Sequence, residues 1–424
     1  MQPGAAPRTT RSAGRASLAG RTHAGALARL AQRYWPPLKL SLTAWGIVLF
    51  PLIAGIILFR YAVQHGAWGY DFKATIYDPG KAVLHGQSPY PDATLASLAG
   101  RPTFVYPPLL LWVDAPLALL PILAARIVWT VVLEVAVAAA MAVLRVRDWR
   151  CYAVALLSVP TLSGLIMGNV TIALVLGLAL AWRSRDRWLI GGITIGLVVA
   201  IKLLLWPLFV WLVATRRFRM AGTAVITGSV AALSSWAAIG FSGLSEYTHL
   251  LHIVATKTAG PRAFSIATLA HEAGLSSTLG HSLQRLCGAA AIGYALFAAR
   301  GQDGDRRAFS AALVGALVIS PVVWLHYPAL LLVPVAIMSP RLGPAWAVPG
   351  LFWPIIWTGG HVTTVGGAGG SSVLVGITPS PVRLVIALTL IAAAYAVTAI
   401  DWTQPGFRAY RQLVARRTAA AASS

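Results

Sequence analysis

Residues 42–90 read LTAWGIVLFPLIAGIILFRYAVQHGAWGYDFKATIYDPGKAVLHGQSPY, an apolar run that gives way to a polar segment around Asp71. The run from 42 to 62 is close to the roughly 20 apolar residues that cross a hydrocarbon core. None of the seventy residues before Asp71 is Asp or Glu, so the first carboxylate of the chain stands where it leaves the membrane. A membrane enzyme can keep a catalytic base at such a place.

Composition extends that reading to the whole chain. With 57% apolar and 11% charged residues and a mean hydropathy of +0.71, it lies far from soluble domains, which carry about 25% charged residues. The fold class expected is an all-α polytopic membrane protein. Two cysteines, Cys151 and Cys287, form no metal spacing or disulfide framework and read as packed thiols. The net charge of +22 would point to nucleic acid in a soluble protein, but here the arginines cluster between apolar segments, so no nucleic-acid partner is expected.

Those clusters set the threading. With a first span near 40–63 leaving outward, apolar segments follow near 123–145, 151–167, 169–182, 188–201, 203–215, 220–241, 283–300, 308–323, 328–340, 343–359 and 382–400. Alternation then places RVRDWR (145–150), RSRDR (183–187), RRFR (216–219), RGQDGDRR (300–307), Arg341 and the tail arginines all inside, as the positive-inside rule asks. The threading requires that YPPLLLWVDAPLALLP (106–121) not span; its prolines and Asp114 suit a re-entrant or interfacial helix. It yields about twelve helices, a disordered basic cytoplasmic arm (1–39), one transmembrane domain (40–400) and a cytoplasmic tail (401–424). The Gly-rich stretch within 360–381 reads as a mobile flap or a disordered loop.

Elimination narrows the chemistry. Asp148, Asp186, Asp303, Asp305 and Asp401 lie in or beside inward basic loops, where they moderate charge, and Asp303-Gly-Asp305 is read as such a loop rather than a metal-binding DxD. Asp114 and Glu134 sit in apolar surroundings, while Asp71, Asp78, Asp92, Glu246 and Glu272 fall in outward loops. Asp78 and Asp92 occupy turn sequences that serve the backbone. Asp71 is therefore the leading base and Asp78 the next, the bland alternative for Asp71 being an N-cap of a helix starting at Phe72.

Other polar residues fall at the corresponding outward tips: Tyr106, the Gly168–Asn169 break, Lys202 inside LVVAIKLLLWP and His326 in SPVVWLHYP. Lys202 must either snorkel or face a polar cavity, and His326 is either a hydrogen-bonded helix-end residue or a ligand. Carboxylate, ammonium and imidazole on one face suit a base with a phosphate-binding pair. A second set, His249, His252, His271 and Glu272, reads as solvated interfacial residues rather than a metal site. No metal and no cofactor are expected.

The order of YDFKATIYDPGKAVLHGQSPY, YPPLLLWVDAPLALLP, MGNVTIAL, GLVVAIKLLLWPLFVWLVATRR and SPVVWLHYPALLLVP over roughly 40–340 resembles glycosyltransferase family 87, the polyprenyl-phosphate-sugar-dependent mannosyl- and arabinofuranosyltransferases of bacterial envelopes. The resemblance implies a GT-C type bundle with interfacial helices in the first outward loop, in the bacterial cell membrane, its active site on the outer face. It implies Asp71 as the base and Lys202 with His326 or Arg262 at the donor phosphate; Asn169 by the resemblance, and Tyr106 and Asp78 by their positions in the sequence, are expected in the substrate pocket. The family often has Gly-Gln where this chain has Gly168–Asn169. The implied partners are a polyprenyl-phosphate-linked sugar, mannose or arabinofuranose, a glycan or glycolipid acceptor, and membrane lipid. The rival reading from the residues is a transporter or lipid-linked-sugar flippase, since Glu134, Lys202 and Asp114 are intramembrane charges; no internal repeat supports it.

Overall fold

The computed structural model describes residues 45–94, 98, 104–258, 263–300, 303–357, 362–366, 372–377 and 380–399. The basic arm and the tail lie outside the described residues. The chain divides into two compact units, residues 1–53 and 54–424. In the first, a π-helical turn Trp45–Leu49 leads into a helix, with Trp45 stacked on Phe50 at 5.7 Å.

Among the described residues, three helices are long and apolar enough to cross a membrane: Trp45–Gln64, Ile122–Val143 and Phe218–Ala238. A fourth crossing is made if Trp149–Leu157 and Val159–Met167, bent by 54° at Ser158, count as one broken span. Shorter apolar helices such as Thr171–Arg183, Trp188–Ile201 and Tyr327–Met338 make up much of the rest, so the dozen apolar segments are not a dozen full-length spans. The helix Leu109–Ala118, with Pro116 inside it, is about 15 Å long at 1.5 Å per residue, half of a hydrocarbon core.

The crossing helices are apolar on both sides. Ile122–Val143 buries Trp129, Leu133, Ala136 and Ala140, yet leaves Leu123, Ile127, Val131 and Val135 half exposed. Such a face has no place in water and reads as a lipid contact. Where helices meet, small residues permit close approach. A Cβ on Gly196 would lie 2.5 Å from the Ala224 carbonyl oxygen, and one on Gly192 would lie 2.8 Å from that of Met220, so Trp188–Ile201 and Phe218–Ala238 pack almost backbone to backbone.

The basic loops gather at one end. Asp305 accepts hydrogen bonds from Arg185 Nε (3.1 Å), Arg217 Nη2 (2.8 Å) and Trp211 Nε1 (2.7 Å), joining the loops at 183–187, 216–219 and 303–307. Asp148 caps its helix through Arg150 N and accepts from Leu342 N (3.2 Å); the hydrogen-bonded Arg150 guanidinium first, and then these backbone contacts, lower its pKa to about 2. A cavity of about 450 Å³ lined by Arg145, Arg147, Trp182 and Arg341 links the two groups. Helices Thr171–Arg183, Trp188–Ile201 and Gly304–Ile319 each have one end here.

The strands Val362–Gly366 and Ser372–Ile377 pair antiparallel with an irregularity between Thr363 and Thr364, so the stretch read as a flap or disordered loop contains a β-hairpin. Both cysteines are free; Cys151 is buried as expected, but Cys287 is exposed.

Candidate active site

Two left-handed glycines position Asp71. Gly168 (φ 69°) ends the helix Val159–Met167; its N–H bonds to the Leu165 carbonyl and that of Asn169 to Gly164, as helix-ending glycines do. Gly69 (φ 67°) begins the short helix Tyr70–Phe72 and donates its N–H to the Ile166 carbonyl at 2.7 Å. The two turns lie against each other: a Cβ on Gly168 would stand 2.7 Å from Phe72 Cβ. Trp129 seals the contact, donating Nε1 to the Gly168 carbonyl (2.8 Å) and stacking on Phe72 at 6.1 Å. The N-cap alternative for Asp71 is overturned, because Gly69 precedes the helix and Asp71 lies within it.

Asp71 faces Asn169. Asn169 Nδ2 donates to Asp71 Oδ2 at 2.9 Å and to the Tyr106 hydroxyl at 3.4 Å, while its Oδ1 accepts from Thr171 N (3.0 Å) and Thr171 Oγ1 (2.6 Å). Lys202 Nζ donates to Thr171 Oγ1 at 2.5 Å and lies 3.6 Å from the Tyr327 ring centroid and 5.6 Å from that of Tyr106. An ammonium, a hydroxyl, an amide and a carboxylate thus form one hydrogen-bonded chain, each link polarising the next. Lys202 is 5% exposed and does not snorkel. Its backbone breaks between Trp188–Ile201 and the 3₁₀ turn Leu203–Leu205, which turns the side chain to the site instead of along the helix face.

His326 is buried beside Tyr327, ring centroids 5.0 Å apart, and its Nε2 has no hydrogen-bond partner among the described residues, which sets it apart from a helix-end histidine satisfied at that atom. Tyr106 is held from behind: the Tyr90 hydroxyl donates to its carbonyl and the Tyr247 hydroxyl to that of Val105, each at 2.8 Å. Burial raises the pKa of Asp71 above the usual carboxylate range; the Asn169 hydrogen bond and the Lys202 charge offset this only in part, although some of the side chain's surface stays open. Burial, and then the Asp71 charge, raises the pKa of the Tyr106 phenol.

Asp71, Tyr106, Asn169, Lys202 and His326 are therefore brought together. Asp78 is not joined to them by a hydrogen bond or ion pair among the described residues; it pairs with Lys73 at 2.5 Å, both about half exposed. Arg262 lies outside the described residues. Asp303 pairs with Arg306 at 3.0 Å, and among the described residues no three His, Cys, Asp or Glu side chains group closely enough to hold a metal. Thr171 and Tyr327 were missed by sequence reasoning. The signal for Thr171 was there: a hydroxyl two residues after an Asn that breaks two apolar runs is the pattern of a side-chain turn.

A model of one family, described as glycosyltransferase family 87, matches residues 104–328, more than half of the chain. The match includes Tyr106, Asn169, Thr171, Lys202, His326 and Tyr327 and begins after Asp71, which geometry alone adds to them. No curated protein and no solved structure matches the chain.

Proposed function

Because the chain belongs to glycosyltransferase family 87, we propose that it transfers a sugar, mannose or arabinofuranose, from a polyprenyl-phosphate donor to a glycan or glycolipid acceptor, with Asp71 as base. The observation that carries the reading is the hydrogen-bonded chain with the Asp71 carboxylate at one end and the buried Lys202 ammonium at the other. A base and a cation held apart by two neutral groups match a displacement that needs a proton acceptor on one side and charge stabilisation on the other.

The acceptor hydroxyl gives its proton to Asp71 Oδ1, since Oδ2 already accepts from Asn169. Its oxygen attacks the anomeric carbon as the bond from that carbon to the phosphate oxygen breaks, with inversion. The leaving polyprenyl phosphate keeps the electron pair, and Lys202, with a proton-bearing Nε2 of His326, faces the charge that develops. The phenol of Tyr106 stays protonated and donates to the sugar or the acceptor.

The positive-inside rule assigns the basic end to the cytoplasm and the end carrying Lys202 to the outer face. The reading is tested by transfer of radiolabelled sugar from polyprenyl-phosphate-mannose, and separately from its arabinose analogue, in membranes containing wild type or Asp71→Asn. Transfer lost in the variant supports the class and the base, and the productive donor names the sugar. Donor flipping in liposomes without any transfer would replace the reading with a flippase.

A further inference from the structure

A second polar cavity, of about 460 Å³, lies where the helix Leu244–Ile253 and the π-helical turn Val254–Thr258 meet the first turns of Ser277–Ala298. His252, His281 and Arg285 line it with the hydroxyl residues Thr256, Ser277 and Ser282, and no carboxylate is among its lining residues. His281 Nδ1 is engaged by the Ser277 carbonyl at 2.7 Å, which leaves Nε2 as its open nitrogen. Arg285 is exposed and has no ion pair among the described residues.

The same helix carries an apolar stripe beside this cavity. Leu279, Leu286 and Phe297 are 47%, 67% and 67% exposed, and their spacings of seven and eleven residues align them on one face. Ser282, a wall of the cavity, falls between Leu279 and Leu286 near that stripe. The helix is about 33 Å long and is not one of the three apolar enough to count as a full crossing, yet its stripe continues past the polar first turns toward the other end, an order that suits headgroups followed by acyl chains.

We propose that this cavity binds the phosphate headgroup of an anionic bilayer lipid. Arg285 and His252 supply donors to the phosphate oxygens, His281 being held at the wall with its Nδ1–H on the Ser277 carbonyl, and the N-terminal end of the helix adds its dipole. A zwitterionic lipid would bring an ammonium that finds no carboxylate to pair with, so the site selects for net negative headgroups. The cavity shares no lining residue with the Asp71 cluster, and the proposal stands whether or not the chain transfers sugar.

The test is titration of the purified full chain in detergent with short-chain phosphatidylglycerol, with phosphatidylcholine of the same chains and with inorganic phosphate, read by native mass spectrometry. Phosphatidylglycerol should bind at least about tenfold more tightly than either other probe, and the double variant Arg285→Gln, His252→Gln should lose about tenfold, the worth of one charge-assisted contact. A second variant, Ser282→Trp, fills the cavity without removing a charge and should lose binding equally. Equal binding of the two lipids, equal binding of inorganic phosphate, or unchanged phosphatidylglycerol binding by both folded variants would each overturn the proposal.

Discussion

Gly168→Ala probes the contact on which the site depends. Alanine at φ 69° pays about 1–2 kcal/mol for left-handed backbone. Its Cβ would also stand 2.7 Å from Phe72 Cβ, where carbon atoms prefer about 3.5–4 Å, so the Tyr70–Phe72 turn must retreat by about 1 Å. Overpacking adds about 1–3 kcal/mol, for a total of about 2–5 kcal/mol. Asp71 rides on the same turn, and about 1 Å of misplacement at a reacting group costs on the order of 10²-fold in rate. Gly274→Ala is the control: it has φ 84° with nothing within 4 Å of its added Cβ, so it carries the backbone strain without the clash. With radiolabelled sugar transfer in membranes matched for folded protein, Gly168→Ala should lose at least about 10²-fold while Gly274→Ala stays within about threefold. Full transfer by Gly168→Ala would show that the Gly168–Phe72 contact does not set the position of Asp71.

Other outcomes follow from the same geometry. Because burial raises the Asp71 pKa, transfer should fall with decreasing pH at values above those of a free aspartate, measured as kcat/KM against pH. Stability moves the opposite way: between the unfolded pKa near 3.8 and the raised folded value the native state holds more protons, so this residue makes the protein more stable as pH drops, and Asp71→Asn should flatten that slope in thermal melts. Asp78→Asn, which removes only a half-exposed pair with Lys73, should change melting and donor KM little, since such pairs contribute about 0–1 kcal/mol. Asp305→Ala should cost about 1–2 kcal/mol in stability, by freeing Arg185, Arg217 and Trp211, with kcat unchanged in transfer assays.

Much of the site was legible because its members break a rule of the apolar sequence around them. Asp71 is the first carboxylate, Lys202 and His326 interrupt apolar runs, and Gly168–Asn169 separates two of them. Each anomaly needs a polar neighbour, and within a bundle they find one another. Thr171 and Tyr327 were not legible in this way, because a threonine or a tyrosine is ordinary near a helix start. The spacing of Asn169 and Thr171 offered a side-chain turn, but the link from Thr171 to Lys202, and Tyr327 as the ring beneath the ammonium, come from distance. The gathering of basic loops was read from charge, whereas Asp305 as the residue joining three of them required the fold, since its partners lie 88 to 120 positions away. The length of the spans was the least legible feature. Apolarity marks a segment as membrane-embedded but does not record where Ser158 bends it or where Lys202 stops it.

The two helices that end at the site, Thr171–Arg183 and Trp188–Ile201, have 13 and 14 residues and so reach only about 20 Å from the basic end. A hydrocarbon core is about 30 Å thick. With the basic end set at one edge of that core by the positive-inside rule, the lysine lies roughly 10 Å short of the other edge. The phosphate of the proposed lipid-linked donor would reach it either by sinking into the protein or by the leaflet dimpling around the bundle, and both would cost more as the bilayer thickens. Membrane thickness thus becomes a control on turnover: acyl chains two to four carbons longer should slow this protein with no change to any of its residues.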